Sequence, residues 1–187
     1  SYSEEEQIKR YWKCNYTAAE SQLAYWILLP KDVKPVQIKK QPIEGLDINN
    51  IGQYVSVDKT CSMLEVSVYY EHCWYEMNAA DWLVKKLDLM GENILHYRKI
   101  NGTSTGTYAD ILTSKKTNKG ESVISRFSVL KDYDPDFSGA NYFMVKTSCF
   151  EEDYQERMLD MLQITNNWDL INKTNWNMAE NLQPFSF

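Results

Sequence analysis

Between Met63 and Met90 the hydrophobic period of the chain changes from two to nearly four within a few residues. In Met63-Leu-Glu-Val-Ser-Val-Tyr-Tyr70, Leu64, Val66, Val68 and Tyr70 fall on one face, with Glu65 and Ser67 on the other. That alternation predicts a strand with one buried side. After His72-Cys-Trp-Tyr-Glu-Met77 comes Asn78, a good N-cap, and then a segment from Ala79 to Met90 closed by Gly91. Ala79, Leu83, Leu87 and Met90 share one helical stripe, while Asp81, Lys85 and Asp88 point away from it. A strand feeding a one-sided helix demands a layered α+β domain in which each element covers another.

The rest of the chain is compatible with such a core. Of its 187 residues 43% are hydrophobic and 13% aromatic, and only 7 Gly and 5 Pro interrupt it, which argues against long disorder. The net charge of −6 and the scatter of its basic residues exclude a nucleic-acid binder, which needs a basic face. No apolar run approaches the ~20 residues of a membrane span, so no transmembrane segment is expected. Cys14, Cys61, Cys73 and Cys149 show no CxxC spacing, which removes a structural zinc site. Cys61 and Cys73 bracket the strand and would lie ~40 Å apart along it, too far to bond to each other. Pairing of either to Cys14 or Cys149 stays open. The triplets beginning at Asn15, Asn101 and Asn172 match the glycosylation sequon, as chance allows in an Asn-rich chain.

Along the chain, Ser3-Glu-Glu-Glu6 is a capping box ahead of Ile8, Tyr11 and Trp12, so residues 1–23 read as a helical extension. Strands are expected at Gln22–Leu29, Ile51–Asp58 and 63–72, with a proline-containing connection over 31–47. After the helix come strands at Asn93–Ile100, Thr107–Ser114, Ser122–Leu130 and Asn141–Thr147. Asn101-Gly102 and Thr117-Asn-Lys-Gly120 supply turns, and Asp132–Gly139 reads as a loop. Ser148-Cys-Phe-Glu151 is a second capping box, and Phe150, Tyr154, Met158, Met161 and Leu162 give a second helical stripe. The resulting order, β-β-β-α-β-β-β-β-α with hairpin-length connections, predicts a mainly antiparallel sheet. Two striped helices covering it give a three-layer α/β/α sandwich over 24–169, with 170–187 as a packed tail.

This pattern resembles the PsbP-like superfamily, which also includes the Ran-binding Mog proteins and bacterial envelope and secretion-chaperone relatives. The matching pieces are Tyr25-Trp-Ile-Leu-Leu-Pro30, the strand pair Ile51–Asp58 and Met63–His72, and the Ala80-Asp-Trp-Leu83 helix. The strands Ile94–Ile100 and Tyr108–Thr113 follow, and the pattern closes with the strand and helix of 141–162. The resemblance implies a mostly non-enzymatic protein that binds partner proteins, in the bacterial cytoplasm or the periplasm and envelope. It places no functional residue.

Chemistry-bearing residues are few. His72 and Cys73 are neighbours, but adjacent strand residues point to opposite faces and cannot pair as base and nucleophile. His96 has no ligand spacing to His72. Asp132, Asp134, Asp136 and Ser138 alternate like part of a calcium loop, yet the sixth and twelfth positions are Phe137 and Phe143 rather than Gly and Glu. Asn101-Gly-Thr-Ser-Thr-Gly106 is rich in hydroxyls but precedes a strand, whereas a phosphate cradle opens a helix. Glu4-Glu5-Glu6 and Glu151-Glu152 suit first helical turns. No catalytic residue, metal or cofactor is assigned.

The aromatic excess remains, and Tyr69, Trp74, Tyr75, Trp168 and Trp176 are the candidates to line an exposed groove. The leading expectation is therefore a non-enzymatic protein-binding module, adaptor or chaperone-like. The alternative is an exported small-ligand or metal-binding envelope protein, and a poorer third is a hydrolase using Asp110 or His72.

Overall fold

The structure, a computed structural model, describes residues 2–17, 20–38, 46, 48–100, 108–133 and 139–172. A short helix α1 (Glu4–Arg10) leads directly into strand β1 (Tyr11–Tyr16), followed by β2 (Tyr25–Pro30), β3 (Val33–Pro35), β4 (Asn49–Ser56) and β5 (Glu65–Cys73). Helix α2 (Ala79–Leu89) precedes β6 (Asn93–Lys99), β7 (Ala109–Lys116), β8 (Ser122–Tyr133) and β9 (Ala140–Phe150). Helix α3 (Tyr154–Asn166) and a short strand β10 (Trp168–Leu170) end the described chain.

The strands form two antiparallel sheets, one of seven in the order β3-β4-β5-β9-β8-β7-β6 and one of three in the order β1-β2-β10. Central strand β9 shows how the layers form. Phe143, Val145 and Cys149 enter a core shared with Met161 and Ile164 of α3 and with Tyr25, Ile27 and Leu29 of the small sheet. Ala140, Tyr142 and Met144 enter a second core beneath Trp82, Leu83 and Leu87 of α2. This is the α+β sandwich expected, with one addition: the layer containing α3 is completed by the small second sheet.

Asn78 caps α2 as its sequence predicts, its Oδ1 accepting from Ala80 N at 2.9 Å, and Gly91 follows with φ +72°. Four local expectations are corrected. Tyr11 and Trp12 belong to a strand instead of continuing the helix, because Tyr11–Tyr16 pairs along the whole of β2. Strand β5 is buried on both sides, since Ser67 and Cys73 lie on the face that α2 helps to cover. Ser148 is no helix cap; it lies within β9, where its hydroxyl meets that of Ser125 at 2.8 Å. Asp132 and Tyr133 extend β8 past its expected end at Leu130 into the start of the expected loop.

The stripe of α3 also differs from expectation. Met158 is exposed, and Arg157 takes the inward position between Tyr154 and Met161 with only 4% of its surface accessible. Its guanidinium donates to Ser62 O (2.8 and 2.6 Å), to both Asp32 carboxylate oxygens (2.6 and 3.4 Å) and to Asp160 Oδ2 (2.9 Å). All of its N–H groups are thus engaged. Asp160 in turn accepts from the Tyr11 hydroxyl at 2.5 Å, and Ser62 Oγ donates to Glu156.

Between the two sheets the Tyr25 and Tyr54 hydroxyls meet at 2.7 Å, with the Tyr25 ring stacked on Tyr16 at 4.8 Å. Gly52 lies beneath them, and a Cβ there would fall 2.0 Å from the Tyr25 hydroxyl.

Arg157→Met should cost about 3 kcal/mol in urea unfolding, because it strands two carboxylates that are mostly out of water. An unchanged midpoint would mean the clasp contributes nothing net. Gly52→Ala should cost ~1–3 kcal/mol through overpacking. That penalty should shrink in a Tyr25→Phe background, where the hydroxyl in its path is gone, and a double-mutant cycle measures the difference.

Candidate interaction rim

Where β5 ends, residues 74–77 carry the chain to α2, and this short connection is gripped from several directions. The Tyr142 hydroxyl accepts from Met77 N and donates to Met77 O, each at 2.7 Å. Glu76 Oε1 accepts from Lys131 Nζ and from the Tyr133 hydroxyl, also at 2.7 Å each. These two donors hold the Glu76 carboxyl below its ordinary pKa. Partial burial and the hydrogen bond to Glu76 push the Tyr133 phenol up to about 12. Gly139, at φ +96°, lies so close that a Cβ would fall 1.8 Å from Cys73 O, so only glycine fits there.

Trp74 and Tyr75 ride on this pinned backbone with 70% and 59% of their surface exposed. The Trp74 ring stands edge-on to His72 at 5.4 Å, and Tyr133 adds a third partly exposed ring. Large aromatics presented on ordered backbone are suited to anchoring a partner, because little ordering entropy remains to be lost.

The other aromatic candidates lie elsewhere. Trp168 is a correction: its side chain is fully buried in the core beneath α3, with Nε1 donating to Ser128 Oγ at 2.7 Å. Burial follows from β10 pairing with β2, which draws the indole inward. Tyr69 is half-buried against the core beneath α2, and burial raises its phenol pKa. Trp176 lies outside the described residues.

Behind the rim lies a polar cluster missed by the sequence reading. Glu71 accepts from Trp82 Nε1 (3.1 Å) and Cys73 Sγ (2.9 Å) and faces Lys86 Nζ at 2.5 Å. The signal was available: Lys86 lies on the buried arc of α2 beside Leu83 and Leu87, and Glu71 alternates in phase with Tyr69 and Cys73. Burial and the bond to Glu71 push the Cys73 thiol up to about 12.

The chemistry-bearing residues are spread across the fold. His72 Nδ1 meets Asn141 Oδ1 at 2.7 Å on the face opposite Cys73. His96 on β6 is four strand spacings from β5, roughly 19 Å at the usual separation. Asp110 accepts from Arg126 at 2.9 and 2.5 Å and from Arg98 at 2.8 Å. Asp132 is buried in β8, while Asp134, Asp136, Ser138 and the 101–106 segment fall outside the described residues. Among the described residues no group of three His, Cys, Asp or Glu is arranged to hold a metal ion, and no helix is long and apolar enough to cross a membrane.

None of the four thiols is bridged, and each lies in its own surroundings. Cys14 and Cys149 are buried like Cys73, with burial the main cause of their raised pKa values, about 11 for Cys149. Cys61 is the partly accessible one. A native-state thiol titration with a chromogenic disulfide at pH 8 should therefore find one fast thiol, abolished by Cys61→Ser, and four after denaturation. A fast thiol persisting in that variant would place another cysteine within reach of solvent.

No protein-family model and no curated protein matches the chain. Among solved structures the fold is similar to the crystal structure of LpqN, involved in cell envelope biogenesis of Mycobacterium tuberculosis. The TM-score is 0.54 at 10% identity, over 90% of this chain and 97% of that one. At that identity the likeness establishes the shared α+β architecture.

Proposed function

We propose that the chain is a non-enzymatic protein-binding module, adaptor- or chaperone-like, which seats a partner protein on the rim formed by Trp74, Tyr75 and Tyr133. The observation that carries this reading is the contrast between fixed main chain and exposed rings. The connection is pinned by Tyr142, Glu76 and Gly139, yet its two largest side chains project into solvent. A chain that only needed to reach α2 would gain nothing from exposing them. The PsbP-like element order supports the same reading, since that superfamily consists mostly of partner-binding proteins. The role in cell envelope biogenesis stated for LpqN supports a place in a bacterial envelope or secretion system.

Capture from soluble and envelope extracts of the source organism, with the tagged chain as bait and a crosslinker, tests the reading. One stoichiometric protein partner is expected. Trp74→Ala and Tyr75→Ala should each weaken its binding about tenfold or more, as central aromatic anchors do. Both residues are on the surface, so unfolding midpoints should move by less than ~0.5 kcal/mol. Recovery of the bare chain from both extracts, or a partner indifferent to both substitutions, would sink the proposal.

A further inference from the structure

The seven-stranded sheet has two edges of different character. At one end β3 is only three residues long and finishes on Pro35, which has no N–H to offer a further strand. At the other end, among the described residues, β6 pairs with β7 alone, and all seven of its residues are exposed, including Ile94, Leu95 and Tyr97. Beside it runs a groove of about 650 Å³ between α2 and the start of β6, floored by Val84 and Ile94. Two exposed carboxylates, Asp81 and Asp88, flank the single ammonium of Lys85 along this groove.

Charge divides along the strand. The beginning of β6 lies against the acidic groove, whereas its end carries Arg98 and Lys99. Arg98 shares Asp110 with Arg126, so that end keeps a surplus of positive charge. Lys99 pairs in register with Ala109 and Tyr97 with Ile111, both members of the core beneath α2. Lys99 and Tyr97 therefore share the sheet face on which the groove opens.

From this polarity we infer that β6 is a twofold interface on which a second copy of the chain docks, β6 antiparallel to β6. Antiparallel pairing sets the basic end of each strand against the acidic end of the other. Lys99 of each copy then reaches the Asp81–Asp88 groove of its partner, while Ile94, Leu95 and Tyr97 meet at the centre. The contact is isologous: every complementary pair occurs twice. Parallel pairing would set like charge against like at both ends. The basic residues discourage strands of other sequence, as charged edges do, yet complement this one.

Sedimentation velocity on the full chain from 1 to 200 µM tests the inference. The mass should rise from 22.0 kDa toward twice that value, and raised salt should oppose the rise. Lys99→Glu and Asp88→Lys should each weaken self-association about tenfold, since each places like charges in both symmetric contacts. An equimolar mixture of the two variants should associate as the unmodified chain does, because both contacts of the mixed dimer are again opposite in sign. Amide exchange over Asn93–Lys99 should slow as the dimer forms. A mass of 22.0 kDa throughout would overturn the inference. So would self-association that Lys99→Glu leaves unchanged, or that Trp74→Ala abolishes in place of it. The rim and the β6 edge are read by different variants, so either proposal can fail alone.

Discussion

The guanidinium of Arg157 is the point on which the arrangement of the layers depends. A charge so far from water is tolerated only when its protons are all engaged. The acceptors come from three separate stretches of chain: Asp32 after β2, Ser62 before β5, and Asp160 one turn along α3. Through Asp160 the same network takes in Tyr11 at the start of β1. The clasp therefore fixes α3 against the start of β1 and the end of β2 in the small sheet, and so sets how one face of the large sheet is covered. The opposite face has its own ionic anchors: Glu71 with Lys86 and Glu92 with Lys146 hold α2 and its C-terminal turn over the strands. Apolar burial drives each layer onto the sheet; these directional contacts decide where along the sheet it comes to rest.

Much of this architecture is legible in the sequence because the elements that build the large sheet carry strong local signals. The Asn78 cap and the Gly91 stop each act within a few residues and appear as read, and the alternation of Leu64 to Tyr70 gives the strand and its face toward α3, although the other face is covered too. The misreadings fall where a long-range contact outweighs a local one. Ser3 caps α1 as its pattern demands, but the helix ends at Arg10 because β2 captures the next six residues. Ser148 and Glu151 have the spacing of a capping box, yet β8 and β9 pair as far as Phe150 and retain the serine in the sheet.

The aromatic residues show the same limit more sharply. Trp74 and Trp168 are equally hydrophobic and neither lies on a long periodic segment, so composition treats them alike. Their fates differ by topology: the second is carried inward by a three-residue strand at the centre of no local pattern, while the first sits in a connection that pairs with no strand among the described residues. Buried charges can be located from sequence only by phase, as with Lys86 and Arg157 on their helical arcs. Phase shows that they face inward without showing which carboxylate they meet.

Besides the Glu76 carboxylate, which Lys131 and Tyr133 hold, two grips on the 74–77 connection act on main-chain atoms: Tyr142 holds the amide and carbonyl of Met77, and Gly139 abuts the carbonyl of Cys73. Neither of them reads the side chains at 74 and 75. The fold thus provides a socket whose shape is independent of what is displayed in it. Descendants of this chain can exchange the two displayed residues, and with them the identity of what is recognised, without renegotiating the stability of the sheet beneath.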